Sequence, residues 1–242
     1  KPYAEIIRER LLDPLGMHDT VPIIDNAVRS RLATGHVFRD TDRPDRPGDP
    51  LAPATWVETN TGDGCICATA SDLATWLRML LSRGAGPSGR ILSEESFALL
   101  SQPVIEMGPG SGRWYGYGVV SSEHEGTRLL GHGGGMIGYT SSMLGDIDRG
   151  IGAVVLVNGY CNPGDIARDA LVVLGAAHDG RDLPPLPDEP DPEVEEGAER
   201  LAGVYRSGER VWELVASGGR LSLVADGRRV ALARLGPASF RA

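Results

Sequence analysis

The sequence predicts an α+β fold, an antiparallel sheet flanked by helices and followed by a small all-β module. Three observations carry that prediction. Strand-like segments succeed one another between residues 114 and 158 with no helix between them, which disfavours a doubly wound parallel sheet. Stretches with a clear 3.6-residue apolar period lie before and after that run. The composition then breaks at residues 182–199, which hold five prolines and eight acidic residues and scarcely any large apolar side chain. The expected organisation is therefore a main domain over 1–180, an extended acidic, Pro-rich linker over 181–199 and a small antiparallel β module over 200–242.

Taken in order, residues 2–12 place Tyr3, Ile6, Ile7 and Leu11 on one helical face, and Pro14 with Gly16 is expected to stop that helix. Residues 20–53 are rich in Pro, Asp and Arg, and the charged tract 39–49 has no periodicity, so it reads as a surface loop. A helix follows with Leu73, Trp76, Leu77, Leu80 and Leu81 as its core stripe, Ser71 as its expected N-cap and Gly84 as its stop. A short helix over 93–100 has Ser93 as its cap. Strands are expected over 114–121 and 127–132, then the apolar run 150–158, and finally an amphipathic helix over 165–177 with Ile166, Ala170, Val173 and Leu174 apolar. Beyond the linker, short β-type runs alternate with turns such as Ser217-Gly218-Gly219 and Asp226-Gly227. About 45 residues close only a small core of their own.

With 242 residues, 41% of them hydrophobic, the chain can bury one good core and a smaller second one. A formal charge of −9 and no basic cluster argue against nucleic acid or an anionic membrane as partner. No apolar run approaches the length of a membrane span and no signal peptide opens the sequence; localisation stays open. Three cysteines, two of them one residue apart at Cys65 and Cys67 and the third at Cys161, have neither the count nor the spacing of a zinc site or a disulfide framework. His18, His36, His124 and His178 likewise lack chelating spacing and read as surface or capping residues.

The most informative stretch is Gly131-His132-Gly133-Gly134-Gly135, ending at Gly138-Tyr139. Glycine weakens a strand by its entropy and missing side chain, so a run of it marks a place where another backbone approaches closely. The stretch is expected to pair as a hairpin with the apolar run that follows Gly150, with His132 at the start of a strand that faces a cleft.

Several motifs occur here in a telling order: Pro14-Leu15-Gly16-Met17 after a helix, the helix entry at 64–72, Ile91-Leu92-Ser93, Tyr115-Gly116-Tyr117-Gly118, His132-Gly133-Gly134 and the 154–158 strand. Over about residues 1–178 the chain resembles the class C β-lactamase and penicillin-binding-protein-like serine hydrolases, which include esterases and D-amino-acid peptidases. The resemblance implies part of a β-lactamase/transpeptidase-like fold. It also implies acyl-enzyme chemistry on a small-molecule substrate, a β-lactam, an ester or a D-amino-acid peptide, with no metal or organic cofactor. Carried onto this chain, His132 orients or polarises the substrate, Gly133 and Gly134 leave room for its backbone, and the Gly135 N–H donates to the oxyanion. Trp114, Tyr115 and Tyr117 fit either sheet packing or the lining of a substrate cleft, and Tyr117 is the substrate-binding candidate among them.

That chemistry needs a serine activated by a neighbouring base, supplied in the family by Ser-x-x-Lys. Lys1 is the only lysine, so no Ser-x-x-Lys exists in these residues. Tyr160-Cys161-Asn162 matches the family's Tyr-x-Asn by letter but follows the last sheet strand, where it reads as coincidence. Ser141 and Ser142 have no base at a motif spacing and read as strand hydroxyls. The expectation is a C-terminal part of such a hydrolase, inactive alone, whose nucleophile and base lie in an N-terminal half of the same protein. Two alternatives stand beside it. One is a non-catalytic protein that keeps the cleft to bind peptide or cell wall. The other is a hormone-sensitive-lipase-like α/β-hydrolase, because His-Gly-Gly-Gly also spells that family's oxyanion loop, although no Gly-x-Ser-x-Gly occurs.

Overall fold

A computed structural model of the chain describes residues 1–40, 49–64, 66–124, 126–185, 197–208, 210–225, 228–236 and 239–241. It divides into two units, Lys1–Val37 with Pro53–Pro185, and Phe38–Ala52 with Leu186–Ala242. The charged tract at 39–49 and the acidic linker fall mostly at 41–48 and 186–196, outside the described residues.

The first unit opens with a helix, α1, that runs from Tyr3–Ile7 through a π-helical stretch, Arg8–Leu12, into Asp13–Leu15. Pro14 does not stop it, contrary to expectation. Proline lacks an N–H and its ring crowds the carbonyl four residues back, and the widened turn accommodates both. The Asp13 N–H accordingly reaches the Arg8 carbonyl, and the Met17 N–H the Leu12 carbonyl at 2.9 Å. Gly16, left-handed at φ 71°, ends the helix.

Helix α2, Ala70–Leu81, is capped by Thr69, whose side chain accepts from the Asp72 N–H at 3.1 Å; Ser71, the expected cap, lies one residue inside. Asp72 turns its carboxylate outward to accept from the Thr20 hydroxyl at 2.7 Å and the Asp19 N–H at 3.0 Å. The C-terminal end is a Schellman arrangement, Arg83 N–H to Leu80 carbonyl and Gly84 N–H to Met79 carbonyl. Helix α3, Glu94–Leu100, is capped by Ser93 as expected.

Six strands then follow in unbroken succession: β1 Ile105–Glu106, β2 Arg113–Tyr115, β3 Val120–His124, β4 Thr127–Met136, β5 Tyr139–Asp146 and β6 Ile151–Val157. Each pairs antiparallel with the next, so spatial order equals chain order. This is an antiparallel sheet with flanking helices, and it removes the α/β-hydrolase alternative, which needs a parallel one. Two strand expectations are corrected. Residues 114–121 are not one strand, because the chain turns at Gly116–Val119, where the Gly116 N–H bonds the Val119 carbonyl at 2.8 Å and Gly118 sits at φ 85°. The glycine-rich strand does not pair with the run after Gly150; β5 lies between them, and His132 stands sixth of ten residues in β4 rather than at its start.

Helices cover both faces of the sheet. Gly145 and Gly152 are register partners on β5 and β6, and a Cβ on either would meet the δ-carbons of Leu77 at 3.0 Å or less, so α2 lies on that face. Ile151 points the opposite way and reaches Gly175 of helix α4, Pro163–His178. Leu12, Leu15, Leu77, Met79, Leu80, Leu130 and Met143 make the core on the α2 side, with Trp76 packed against it. The buried stripe of α4 is Ala167, Leu171, Gly175 and Ala176, whereas the expected face leaves Ile166 and Leu174 exposed at 49% and 41%. Small residues let this helix approach the sheet, and apolar periodicity does not reveal that preference.

The turn from β5 to β6 is tied by Asp146, which accepts from the N–H groups of Asp148 and Arg149. Arg149 pairs with Asp146 at 2.9 Å and, through its fork, with Asp179 beyond the end of α4.

The second unit holds a short helix, α5 Ala198–Leu201, and a four-stranded antiparallel meander: β7 Gly203–Ser207, β8 Arg210–Ser217, β9 Arg220–Ala225 and β10 Arg228–Ala231. Among the described residues of this unit Ala198, Leu221 and Ser222 are buried. Among the described residues no helix is long and apolar enough to cross a membrane.

Candidate active site

The glycine-rich half of strand β4 is paired on one edge only. Toward β5 its partners run from Leu129 to Met136, but toward β3 they stop at Gly131, opposite Val120. From His132 onward no strand among the described residues pairs with that second edge.

The turn joining β4 to β5 sets which groups face the uncovered edge. Met136 and Tyr139 close a hairpin across the two residues Ile137 and Gly138, and such a closing pair exchanges its hydrogen bonds. Alternation along β4 therefore turns the amides of Gly134 and His132 to β5, and those of Gly133 and Gly135 away from it. The glycines differ in surroundings as well. A Cβ on Gly134 would lie 2.5 Å from Ser141 Oγ, whereas one on Gly135 would meet nothing within 4 Å. A side chain on Gly134 would displace the Ser141 hydroxyl, whereas Gly135 opens onto free space.

The hairpin tip is held from behind. Gly138, at φ 81°, leaves no room for a side chain against Ala54 and the His36 N–H. The Tyr139 hydroxyl donates to the Ala33 carbonyl at 2.7 Å and accepts from the Gly35 N–H at 3.0 Å. Asn158, at the end of β6, donates to the Thr34 carbonyl at 2.8 Å. Residues 33–36 thus buttress the end of the hairpin adjoining the open edge.

His132 shares a face with the core residues Leu130 and Met143 but is itself exposed. Its Nδ1 lies against the Gly133 carbonyl, which can only accept, so Nδ1 carries the proton. Its Nε2 is 3.1 Å from the Tyr115 hydroxyl, and the two rings meet edge to face with centroids 5.6 Å apart. Tyr115, the last residue of β2, is therefore the aromatic brought to the histidine. Tyr117 stands in the following turn, 66% exposed. The strand break at Gly116 is the signal that separates these two tyrosines, and the sequence carries it in the Tyr-Gly-Tyr-Gly alternation.

Other sequence candidates take structural places. Asn162 of Tyr160-Cys161-Asn162 caps α4, accepting from the Gly164 N–H at 3.0 Å. Ser141 and Ser142 face Gly134 and Gly133 across the β4–β5 ladder. The Cys67 backbone bridges Val21, burial pushes the Cys161 thiol up, and Cys65 lies outside the described residues. His36 approaches the Asn158 carbonyl and His178 pairs with Asp179. No cluster of His, Cys, Asp and Glu suited to a metal occurs among the described residues.

The profile of the Beta-lactamase family matches residues 1–178. The chain belongs to the Beta-lactamase family. Penicillin-binding protein 4 of Amycolatopsis lactamdurans is 29% identical over 164 residues, 65% of this chain and 42% of that protein. A D-aminopeptidase of Brucella canis is 28% identical over 167 residues, 68% of this chain and 29% of that one. The fold is shared with a penicillin-binding protein homologue of Pyrococcus abyssi, at a TM-score of 0.63 and 24% identity over 96% of this chain and 50% of that one. It is also shared with a D-amino acid amidase of Ochrobactrum anthropi, at a TM-score of 0.54 over 75% of this chain and 53% of that one. This member of the family thus spans about half the length, or less, of the proteins it matches. Within it, β4 and its open edge are the candidate site on which backbone geometry and motif converge.

Proposed function

We propose that this chain is the C-terminal part of a serine hydrolase that acylates itself on a β-lactam, an ester or a D-amino-acid amide and then hydrolyses the acyl-enzyme. The chain supplies one side of the site. A substrate carbonyl lies against the open edge of β4, and the Gly135 N–H donates to its oxygen as a serine hydroxyl attacks. Gly133 and Gly134 let the substrate backbone come close, His132 orients it, and Tyr117 lines the approach. The serine and its base come from residues outside these 242, because Lys1 is the only lysine present. The observation that carries this reading is the Gly135 amide, which by strand alternation faces an edge with no strand on it. The relatives named D-aminopeptidase and D-amino acid amidase support the substrate class.

In the full-length protein, Gly135→Pro removes that N–H without removing a ladder bond, so the strand is retained. A lost oxyanion donor costs about 10²–10³ in kcat, roughly 3–4 kcal/mol. Hydrolysis of nitrocefin or a p-nitrophenyl ester by the folded variant should fall by that factor, and an unchanged kcat would sink the assignment. The absence of Ser-x-x-Lys favours a second reading, a binding protein that keeps the cleft. Were the reading frame upstream of Lys1 to lack that motif as well, the binding reading would replace the hydrolase.

A further inference from the structure

We infer that Tyr115 is a positioning residue that holds His132 as the neutral tautomer protonated on Nδ1, and through it fixes the carbonyl of Gly133 beside the open edge. The inference rests on the reading of that edge as the substrate side of the site.

The bonds form a short chain. The Tyr115 O–H donates to His132 Nε2 at 3.1 Å, and the His132 Nδ1–H donates to the Gly133 carbonyl. A neutral imidazole in water prefers its proton on Nε2, so a partner on each nitrogen is what selects the other tautomer. An imidazole whose far nitrogen is held by a second group is fixed in ring orientation as well as in tautomer. Here both effects act on a strand that needs them. Gly133 has no side chain to restrain it and no strand on its outer edge, and its carbonyl faces that edge. Among the described residues the side chain bonded to that carbonyl is His132, and Tyr115 is what sets the direction of the His132 ring.

The arrangement also limits what His132 does. With Nδ1–H spent on a backbone carbonyl and Nε2 already accepting, the ring offers a substrate neither a free donor nor a free base. Its role is to orient the edge.

The test separates this inference from the hydrolase reading by using a readout that needs no turnover. Long-range ¹H–¹⁵N correlation spectra of the full-length protein, with His132→Asn used for assignment, should show His132 protonated on Nδ1. Tyr115→Phe keeps the ring and removes the hydroxyl, and in that variant the signal should move to the Nε2–H form or to a mixture. A wild-type signal already protonated on Nε2, or one that Tyr115→Phe leaves unchanged, overturns the inference whatever the activity. In turnover assays Tyr115→Phe should lower kcat about tenfold with little change in KM, and it should add nothing further in a His132→Ala background. An additive effect in that background would place Tyr115 on the substrate directly and overturn the positioning role.

Discussion

Arg83 is the one described residue other than glycine at positive φ, 51°, and it occupies the left-handed position that closes helix α2. A side chain there costs about 1–2 kcal/mol in backbone strain, part of which glycine gives back through its looser unfolded chain. Arg83→Gly should therefore raise stability by about 0.5–1 kcal/mol, read as a higher urea midpoint at an unchanged m-value. Asp179 makes a pH prediction of definite sign. Arg149 first, then His178 and Arg181, hold its carboxyl well below the usual carboxylate range. Its stabilisation is complete above the unfolded-state pKa of about 3.9 and is lost as pH falls below it, because the unfolded chain takes up the proton first. The stability gap between wild type and Asp179→Asn should shrink as pH falls below about 4; a gap that stays level or widens between pH 4 and about 3 would contradict the pairing. At this scale the sequence was partly legible. Ser93 is where capping chemistry puts it, whereas Arg83 takes the left-handed position and Gly84 follows one residue later. Thr69 rather than Ser71 caps α2 because two hydroxyl residues flank the start, and the one three residues before Asp72 closes the geometry.

At the scale of elements, the contact between α2 and the sheet depends on two glycines lying side by side, Gly145 and Gly152. Leu77, only 3% exposed, fills the notch they leave, and a Cβ on Gly152 would stand 2.5 Å from its Cδ2. Leu77 has nowhere to move. Gly152→Val should cost about 2–3 kcal/mol, measured by thermal or urea unfolding, and Leu77→Ala should recover part of that loss by reopening the notch. In sequence Gly152 reads only as one member of the apolar run 150–158, and its register partner Gly145 shows it to be a packing surface. The same limit explains α4. Its helical period was legible, but the face it buries was chosen by Ala167 and Gly175, which allow close approach, over the larger Ile166 and Leu174. The strand after β4 was hidden for a related reason: Thr140, Ser141 and Ser142 lack the apolar alternation that marks β6.

At the scale of the molecule, the family was legible from motifs in order, and the candidate site was a single stretch because His132 and its glycines form a continuous motif in one strand. Tyr115 was not singled out, since its place beside His132 depends on how β2, β3 and β4 align across two turns. The chain covers half or less of the length of its relatives, and its only lysine is Lys1. The 242-residue chain by itself is expected to hydrolyse neither nitrocefin nor a p-nitrophenyl ester at a rate above buffer. Turnover by that chain would show that a nucleophile lies within it after all.

The half-covered strand also has a signature in the exchange of its amide hydrogens with solvent. Gly131 is shielded by β3 and Gly134 by β5, whereas Gly133 and Gly135 give their hydrogens to water. Exchange along these residues should thus run slow, fast, slow, fast, a rhythm no fully paired or fully frayed strand produces. A molecule that docks on the edge will slow the two fast amides and leave Gly134 as it was, so the free protein carries its own reporter of occupancy.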